Sequence, residues 1–253
     1  MKEIDLNCDA GEAFGPWQMG EDATLIPLVT SVNIACGAHA GDPLVMRRTL
    51  ELAARHGVAA GAHPGYPDLQ GFGRRILPMP PDEVALWLLA QIGALAGVAR
   101  SLGITLRHVK PHGALYNQAA DDAALAQAIA RAVVQFDPAL VLVARAGSTM
   151  VEVARAEGLR VAEEAFADRG YDSQGRLLPR GVAGSILHAP ADAAARAVAL
   201  AQGEPIRVSD GTLLTIHADT VCIHSDTAGA TAIAQAVRGA LKEARIQVHA
   251  FTD

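Results

Sequence analysis

Acidic side chains alternate with apolar ones in the first strand-like run of the sequence, at positions 5–9. The alternation places Asp5, Asn7 and Asp9 on one face of a strand. Carboxylates that face a protein interior are costly unless they are hydrogen-bonded or serve a reaction. We therefore expect acid–base chemistry here, with the anchoring of a loop as the alternative. Glu12, a little further on, is either a site acid or a solvated charge.

Histidines follow three other strand-like runs. His39 lies between two glycines in the segment 36–41, which permits close approach of the backbone to a ligand. His63 ends the third run and His224 ends the last one. We expect all three imidazoles in a site, whereas Asp42 is equally well explained as a helix N-cap.

A lysine stands among histidines at the end of the fourth run, His108-Val109-Lys110-Pro111-His112. Alternation places His108 and Lys110 on one face, and His112 follows in the same register. A lysine in such surroundings is a candidate for a shifted pKa or for contact with an oxyanion.

Charged residues in the later loops are weaker candidates. Arg74 and Arg75 end a loop rich in glycine and proline, where one could clamp a carboxylate or phosphate and the other could form a surface ion pair. Asp168 and Arg169 follow the sixth run, in a stretch without clear periodicity that is typical of functional loops. Asp226 is equally well explained as the cap of the final helix.

Strand-like and helical segments alternate about seven times, which predicts a parallel β/α architecture. A closed barrel is favoured because no GxGxxG or GxxxxGK[ST] run follows the first strand. We predict one domain over residues 1–253, with each polar run at the strand ends where β/α barrels place catalytic groups. The predicted strands are 4–8, 31–36, 58–63, 105–110, 140–145, 160–164, either 206–209 or 213–216, and 220–224, and the predicted helices are 43–56, 82–102, 121–136, 148–157, 191–202 and 228–243.

The composition excludes several classes of protein. The 253 residues are 51% apolar and 19% charged, with a formal net charge of −6 and no run of Lys and Arg. A nucleic-acid or anionic-membrane surface is therefore not expected. Three cysteines without CxxC spacing favour a reducing compartment. Since no segment resembles a signal peptide or a membrane span, we expect a cytoplasmic protein.

Six runs together resemble the LamB/YcsF family, whose bacterial members are described as the A subunit of the ATP-dependent 5-oxoprolinase. The resemblance extends over nearly the whole chain, and Ala38 and Ser225 depart from the family's usual Phe and Gly. The runs are DLNCDAGEAFG (5–15), NIACGAHAGDP (33–43), GAHPGYPDLQGFGRR (61–75), HVKPHGALYN (108–117), EAFADRGY (164–171) and CIHSDT (222–227).

The resemblance implies a seven-stranded variant of the TIM barrel, of the glycoside hydrolase/deacetylase-like kind. It also implies ATP-dependent cleavage of 5-oxo-L-proline (pyroglutamate) to L-glutamate, in a complex with the B and C subunits of the same enzyme. The sequence has no Walker-type loop, so ATP, with its Mg²⁺, would bind elsewhere in the complex or in a barrel pocket of another kind.

Opening an unactivated cyclic amide requires a base, a donor to the oxyanion and activation of the carbonyl oxygen. We hypothesise that Asp9 or Asp5 is the general base, that Lys110 stabilises the oxyanion and that the histidines orient the substrate. The predicted catalytic residues are Asp5, Asp9, Lys110 and His112. The predicted substrate-binding residues are Asn7, Glu12, His39, His63, Arg74, Asp168, Arg169 and His224.

Two other functions remain open. A metal-dependent amide or ester hydrolase would use Asp5, Asp9, His39 and His63 as ligands, although no HxxxH or HExxH spacing fixes a metal there. The second is a binding protein that holds the lactam while a partner does the chemistry.

Overall fold

The computed structural model describes residues 2–227 and 229–252. Its centre is a parallel sheet of seven strands that closes on itself, because β1 pairs with both β2 and β9. The strands in chain order are β1 (Glu3–Ala10), β2 (Ser31–Ala35), β3 (Ala59–His63), β4 (His108–Val109), β5 (Val141–Arg145), β6 (Arg160–Phe166), β7 (Ile206–Arg207), β8 (Leu213–Leu214), β9 (Thr220–Ile223) and β10 (Gln247–Val248). The predicted seven-stranded barrel is thereby confirmed.

Helices surround the barrel and connect consecutive strands. They are α1 (Asp22–Leu25), α2 (Pro43–Arg55), α3 (Pro81–Ser101), α4 (Gly113–Ala119), α5 (Ala123–Phe136), α6 (Thr149–Ala156), α7 (Pro190–Gln202) and α8 (Ala230–Glu243). The short helices α1 and α4 are absent from the sequence-based prediction. The predicted first residue of the last helix, Ala228, lies outside the described residues.

The segment between β6 and β9 differs from its prediction. Both candidate strands there, 206–209 and 213–216, were expected to compete for a place in the barrel. Instead, β7 and β8 pair with each other in an antiparallel hairpin. The strand β9 pairs directly with β6, with Thr220 opposite Glu164. The reason is that α7 and this hairpin together form the crossover that returns the chain to the barrel.

Helix capping explains one polar residue that the sequence left undecided. The Asp42 carboxylate accepts hydrogen bonds from the backbone N–H groups of Leu44 and Val45, at 2.8 and 3.0 Å. Asp42 is therefore the N-cap of α2, with Pro43 as the first helical residue. Among the described residues no side chain caps α8, whose N-cap position is Gly229, and the Asp226 carboxylate instead pairs with Arg74 and Arg180.

The helix α3 is the one described segment that is long and apolar enough, by length and composition, to cross a membrane. A core helix of a barrel passes the same test. Five of its apolar residues are buried in the main hydrophobic core at the three-to-four-residue spacing of one helix face, namely Val84, Leu88, Ile92, Leu95 and Ala99.

Candidate active site

A cavity of about 500 Å³ lies at the carboxyl ends of the barrel strands. Most of the predicted site residues line it, which supports the expectation that these polar runs meet at one end of the barrel. The predicted residues that line the cavity are Asp9, Glu12, His63, Arg74, Lys110, His112, Arg169 and His224. The other four, Asp5, Asn7, His39 and Asp168, are buried but are not among its lining residues.

Lys110 lies at the centre of the site between two carboxylates. Its Nζ is 2.9 Å from Oδ1 of Asp9 and 2.8 Å from Oε1 of Glu164. Although burial lowers the pKa of Lys110, Asp9, Cys222 and Glu164 together raise it well above its ordinary value. The ammonium therefore stays charged, and it also makes two weaker contacts, to Sγ of Cys222 at 3.3 Å and to Oδ1 of Asn7 at 3.5 Å.

Asp9 is correspondingly held as an anion. Burial alone would raise its pKa, but His63 and Lys110 hold the pKa of Asp9 well below its usual range. All three contacts with Lys110, Asn33 and His63 fall on Oδ1, at 2.9, 2.9 and 3.4 Å. A carboxylate with so low a pKa is a weak base, because proton transfer is most efficient when the pKa lies near the working pH.

Two amides connect these charges to the wall of the barrel. Asn33 Nδ2 donates to Asn7 Oδ1 at 2.8 Å, and Asn7 Nδ2 donates to Glu164 Oε1 at 3.0 Å. His108 Nε2 lies 2.8 Å from Oδ1 of Asn33, an acceptor, so Nε2 donates. The network satisfies the hydrogen-bonding groups of these buried side chains and fixes the positions of Asp9 and Glu164. Asn7 therefore lies behind the cavity and supports the residues that line it.

Asp5 lies deeper in the barrel, on the face of β1 that the alternation predicts. Its Oδ1 accepts hydrogen bonds from Thr30 and Ser31, each at 2.7 Å, and its Oδ2 accepts one from Thr220. Burial raises the pKa of Asp5 to about 6. Three hydroxyl groups donate hydrogen bonds to Asp5, and Asp5 does not line the cavity. Its geometry therefore favours a structural role over the role of general base.

His224 and Asp168 form a directed pair at another wall of the site. Nδ1 of His224 lies 3.0 Å from Oδ1 of Asp168, and Thr227 Oγ1 donates to Oδ2 of the same carboxylate at 2.9 Å. Nδ1 therefore carries the proton, and Nε2 is the basic nitrogen. The ring of Phe166 stacks on the imidazole with centroids 5.2 Å apart.

Three other imidazoles pack together beside Asp9. The rings of His39 and His112 are parallel, with centroids 3.8 Å apart, and His63 meets both edge-on. Burial lowers the pKa of His39 and of His112 well below the ordinary value, so both rings are neutral. A side chain at Gly73 would collide with this pair, since its Cβ would lie 2.7 Å from Nδ1 of His112. The glycine-rich loop is thus the cover of the imidazole cluster.

Five arginines line the same cavity: Arg74, Arg145, Arg169, Arg176 and Arg180. Asp121 is shared by Arg145 and Arg176, at 2.9 and 3.4 Å, and Asp226 is shared by Arg74 and Arg180. Because each acid serves two arginines, the walls carry excess positive charge that suits an anionic ligand. Arg75 instead pairs with Asp68, and its side chain is more than half exposed. Of the two adjacent arginines, Arg75 is therefore the one that forms the surface ion pair expected from the sequence.

Several site residues were missed by the sequence-based prediction. Glu164 is the main example. The sequence has two adjacent acids, Glu163 and Glu164, and only Glu164 contacts Lys110, whereas Glu163 pairs with Arg155. Strand alternation in β6 is the signal that could have separated them. Arg145 has a similar signal, as a charged residue that ends an apolar strand. Asn33, Tyr116 and Cys222 lay within recognised runs, but nothing local marked them.

A solved structure and many curated sequences resemble the chain closely. The lactam utilization protein of Thermus thermophilus is 47% identical, with a TM-score of 0.93 over 98% of this chain and 100% of that one. A protein of Heliobacterium modesticaldum, named as the A subunit of 5-oxoprolinase, is 54% identical over 98% of this chain and 97% of its own length. One of the same name from Chloroflexus aggregans is 51% identical over 98% of each.

Fold and site together define a β/α-barrel protein that concentrates acid–base groups at the carboxyl ends of its strands. The LamB/YcsF family model matches residues 4–253. The chain belongs to the LamB/YcsF family, as its sequence motifs predict.

Proposed function

We propose that this chain opens the ring of 5-oxo-L-proline to give L-glutamate, as the A subunit of an ATP-dependent 5-oxoprolinase that also contains B and C subunits. The names of its relatives support this function. The observation that carries the proposal is a cavity in which a fixed ammonium, an oriented imidazole and excess arginine charge meet. These are the groups that hydrolysis of an anionic cyclic amide requires.

The proposed base is His224. Its Nδ1 is committed to Asp168, so Nε2 can accept the proton of an attacking water. Asp9 and Asp5 are less suitable than the sequence alone suggests, because Asp9 has too low a pKa and Asp5 is engaged by hydroxyl groups behind the cavity. Asp168 is then a positioning residue, which holds the imidazole in one tautomer and stabilises its protonated form.

The reaction then proceeds in two steps. Water oxygen forms a bond to the lactam carbonyl carbon while His224 takes its proton, and the carbonyl π electrons move to oxygen. Collapse of that intermediate breaks the carbon–nitrogen bond, and His224 returns the proton to the departing ring nitrogen. Lys110 stabilises the oxyanion by exchanging its weak contact with Cys222 for the substrate oxygen. Asp9 and Glu164 hold the ammonium in place.

ATP contributes activation of the lactam in this proposal. Transfer of the γ-phosphoryl group of ATP to the oxyanion of the intermediate releases ADP. Loss of the ring nitrogen then leaves an acyl phosphate, which a second water hydrolyses to glutamate and phosphate. The excess arginine charge of the walls suits both the carboxylate of 5-oxoproline and such a phosphoryl group.

The test is a coupled assay of 5-oxoproline-dependent ATP hydrolysis and glutamate formation. The chain is assayed alone, the two partner subunits are assayed without it, and then all three are combined. We expect glutamate only from the complete set. Glutamate formation at an unchanged rate by the partners alone would contradict the proposal.

A role in binding the lactam without hydrolysing it remains the rival hypothesis, and the same assay distinguishes it. The isosteric variant Asp168→Asn removes the charge behind His224 but leaves the cavity lining intact. If the chain is hydrolytic, this variant loses turnover in the complex while it still binds 5-oxoproline in calorimetry. If the chain only binds the lactam, the variant retains turnover together with affinity.

A further inference from the structure

Three metal-ligating side chains meet beside the Lys110 ion pairs. Glu12, His63 and His112 each offer one ligand atom, and these atoms all lie within 4.8 Å of one another. None of the three residues is more than 5% exposed, and all three line the cavity. Two imidazoles and one carboxylate form a ligand set that binds divalent transition metals.

The orientation of His63 is the strongest sign of coordination. Its Nδ1 lies 2.7 Å from the carbonyl oxygen of Lys110, which can only accept, so Nδ1 carries the proton. Nε2 faces Oδ1 of Asp9 at 3.4 Å, and no hydrogen bond to Nε2 is found among the described residues. A metal ion between these atoms would take the place of this long contact. Metal-binding histidines characteristically donate their second N–H to a backbone carbonyl in this way.

Glu12 and His112 complete the geometry from the opposite side. Nε2 of His112 faces Oε1 of Glu12 at 3.9 Å, too long for a hydrogen bond. The backbone at Gly73 covers Nδ1 of His112, so Nε2 is the nitrogen that faces the carboxylate. Ser225 donates to the other carboxylate oxygen at 3.2 Å. Burial, with Asp9 nearby, raises the pKa of Glu12 well above its usual range, because its charge is poorly compensated.

We propose that Glu12, His63 and His112 bind one divalent transition-metal ion of the Zn²⁺ type, with its open positions toward the cavity. Asp9 Oδ1 supplies a further oxygen close to His63 Nε2. This set differs from the one suggested by the sequence, because Asp5 and His39 belong to neither group of potential ligands in the described part of the chain. The proposal concerns binding and does not depend on lactam hydrolysis.

The experiment uses the full chain after treatment with a chelator. Zn²⁺ and Co²⁺ are titrated separately by calorimetry, and Co²⁺ binding is also followed by its visible d–d bands, which report coordination by nitrogen and oxygen. We expect one equivalent of either metal and a higher Tm with metal bound. Loss of a residue that only hydrogen-bonds to a metal ligand typically weakens metal binding by roughly 10- to 100-fold. We expect a larger loss of Co²⁺ affinity from each of three ligand variants, Glu12→Gln, His63→Gln and His112→Gln.

Matched controls separate specific ligands from general effects of substitution. Glu51→Gln and His56→Gln change the same residue types at the outer helix α2 and should leave Co²⁺ affinity unchanged. Far-ultraviolet circular dichroism establishes that each variant is folded. Absence of binding to the folded wild-type chain overturns the proposal, as does undiminished affinity in all three variants. A thiolate-to-Co²⁺ charge-transfer band that is lost in Cys222→Ser also overturns it, because it assigns the ion to the neighbouring group Asp9, Cys222 and His224.

Discussion

Nδ1 of His224 lies 3.0 Å from Oδ1 of Asp168, and this contact determines which imidazole nitrogen is basic. Although burial raises the pKa of Asp168, His224 lowers it below the ordinary value, so the carboxylate stays charged behind the ring. Asp168→Asn keeps the shape but permits the other tautomer. We expect kcat in the assembled complex to fall by roughly 100- to 10,000-fold with KM little changed.

Nitrogen-15 NMR of the His224 imidazole provides the readout that a purely structural role would not affect. The wild-type chain should show a protonated Nδ1 at neutral pH, and the variant a mixture of tautomers. Asp168→Glu should restore part of the activity. An unchanged kcat in Asp168→Asn would remove this pair from the mechanism.

The ion pair between Asp9 and Lys110 makes a different prediction. Asp9→Asn leaves Lys110 with Glu164 as its remaining carboxylate partner. We expect loss of turnover and a decrease in the free energy of unfolding on the order of 3 kcal/mol, because removing one partner of a buried pair leaves charge uncompensated. Steady-state kinetics of the complex and urea unfolding of the chain measure the two effects.

Near-normal activity of a folded Asp9→Asn chain would show that the position of the ammonium does not matter for the reaction. Asp5→Asn serves as the comparison, since Asp5 is also buried but contacts hydroxyl groups instead of Lys110. We expect it to affect unfolding more than turnover.

The contrast between Asp9 and Glu164 shows what the sequence could and could not predict. The face shared by Asp5, Asn7 and Asp9 follows from the two-residue period of one strand, which is a local property. The contacts of Lys110 with Asp9 and Glu164 depend on the register of strands that are distant in the sequence. No spacing within a single run encodes that register.

The same distinction applies to the hairpin between β6 and β9. The segments at 206–207 and 213–214 have strand-like composition and do form strands, so the local prediction is correct. They pair with each other, and β6 pairs with β9 instead, a choice of partner that the composition of neither segment encodes. Likewise, the pair of Asp168 and His224 joins two loop ends that only barrel closure brings together.

His108 predicts a pH dependence of stability. Burial, followed by Lys110 and His63, lowers the pKa of His108 from 6.5 to about 3 in the folded chain. The unfolded chain therefore binds more protons below pH 6.5, and this residue contributes stability that is lost as the pH falls toward 3. Between pH 6.5 and about pH 5 the loss should be about 2 kcal/mol.

Urea unfolding of the wild type and of His108→Gln at both pH values isolates this contribution. The variant keeps a donor toward Asn33, and we expect its stability to fall by about 2 kcal/mol less than that of the wild type over the same interval. Comparison with the variant is necessary because Asp5, with its pKa raised to about 6, acts in the opposite direction. Identical pH profiles would mean that folding does not lower the pKa of His108, which would contradict this prediction.

Adjacent arginines offer a matched test of anion recognition. Arg74 lines the cavity and shares Asp226 with Arg180, whereas Arg75 pairs with Asp68 outside it. We expect Arg74→Ala to raise KM for 5-oxoproline by roughly 10-fold or more, since a hydrogen bond to a charged group contributes about 1.5–3 kcal/mol. Arg75→Ala should leave KM unchanged. Calorimetry with 2-pyrrolidinone, the same lactam without the carboxylate, supplies the decisive comparison. Arg74→Ala should reduce the preference for 5-oxoproline over this neutral ring. An equal loss of affinity for both ligands would show that Arg74 does not recognise the carboxylate.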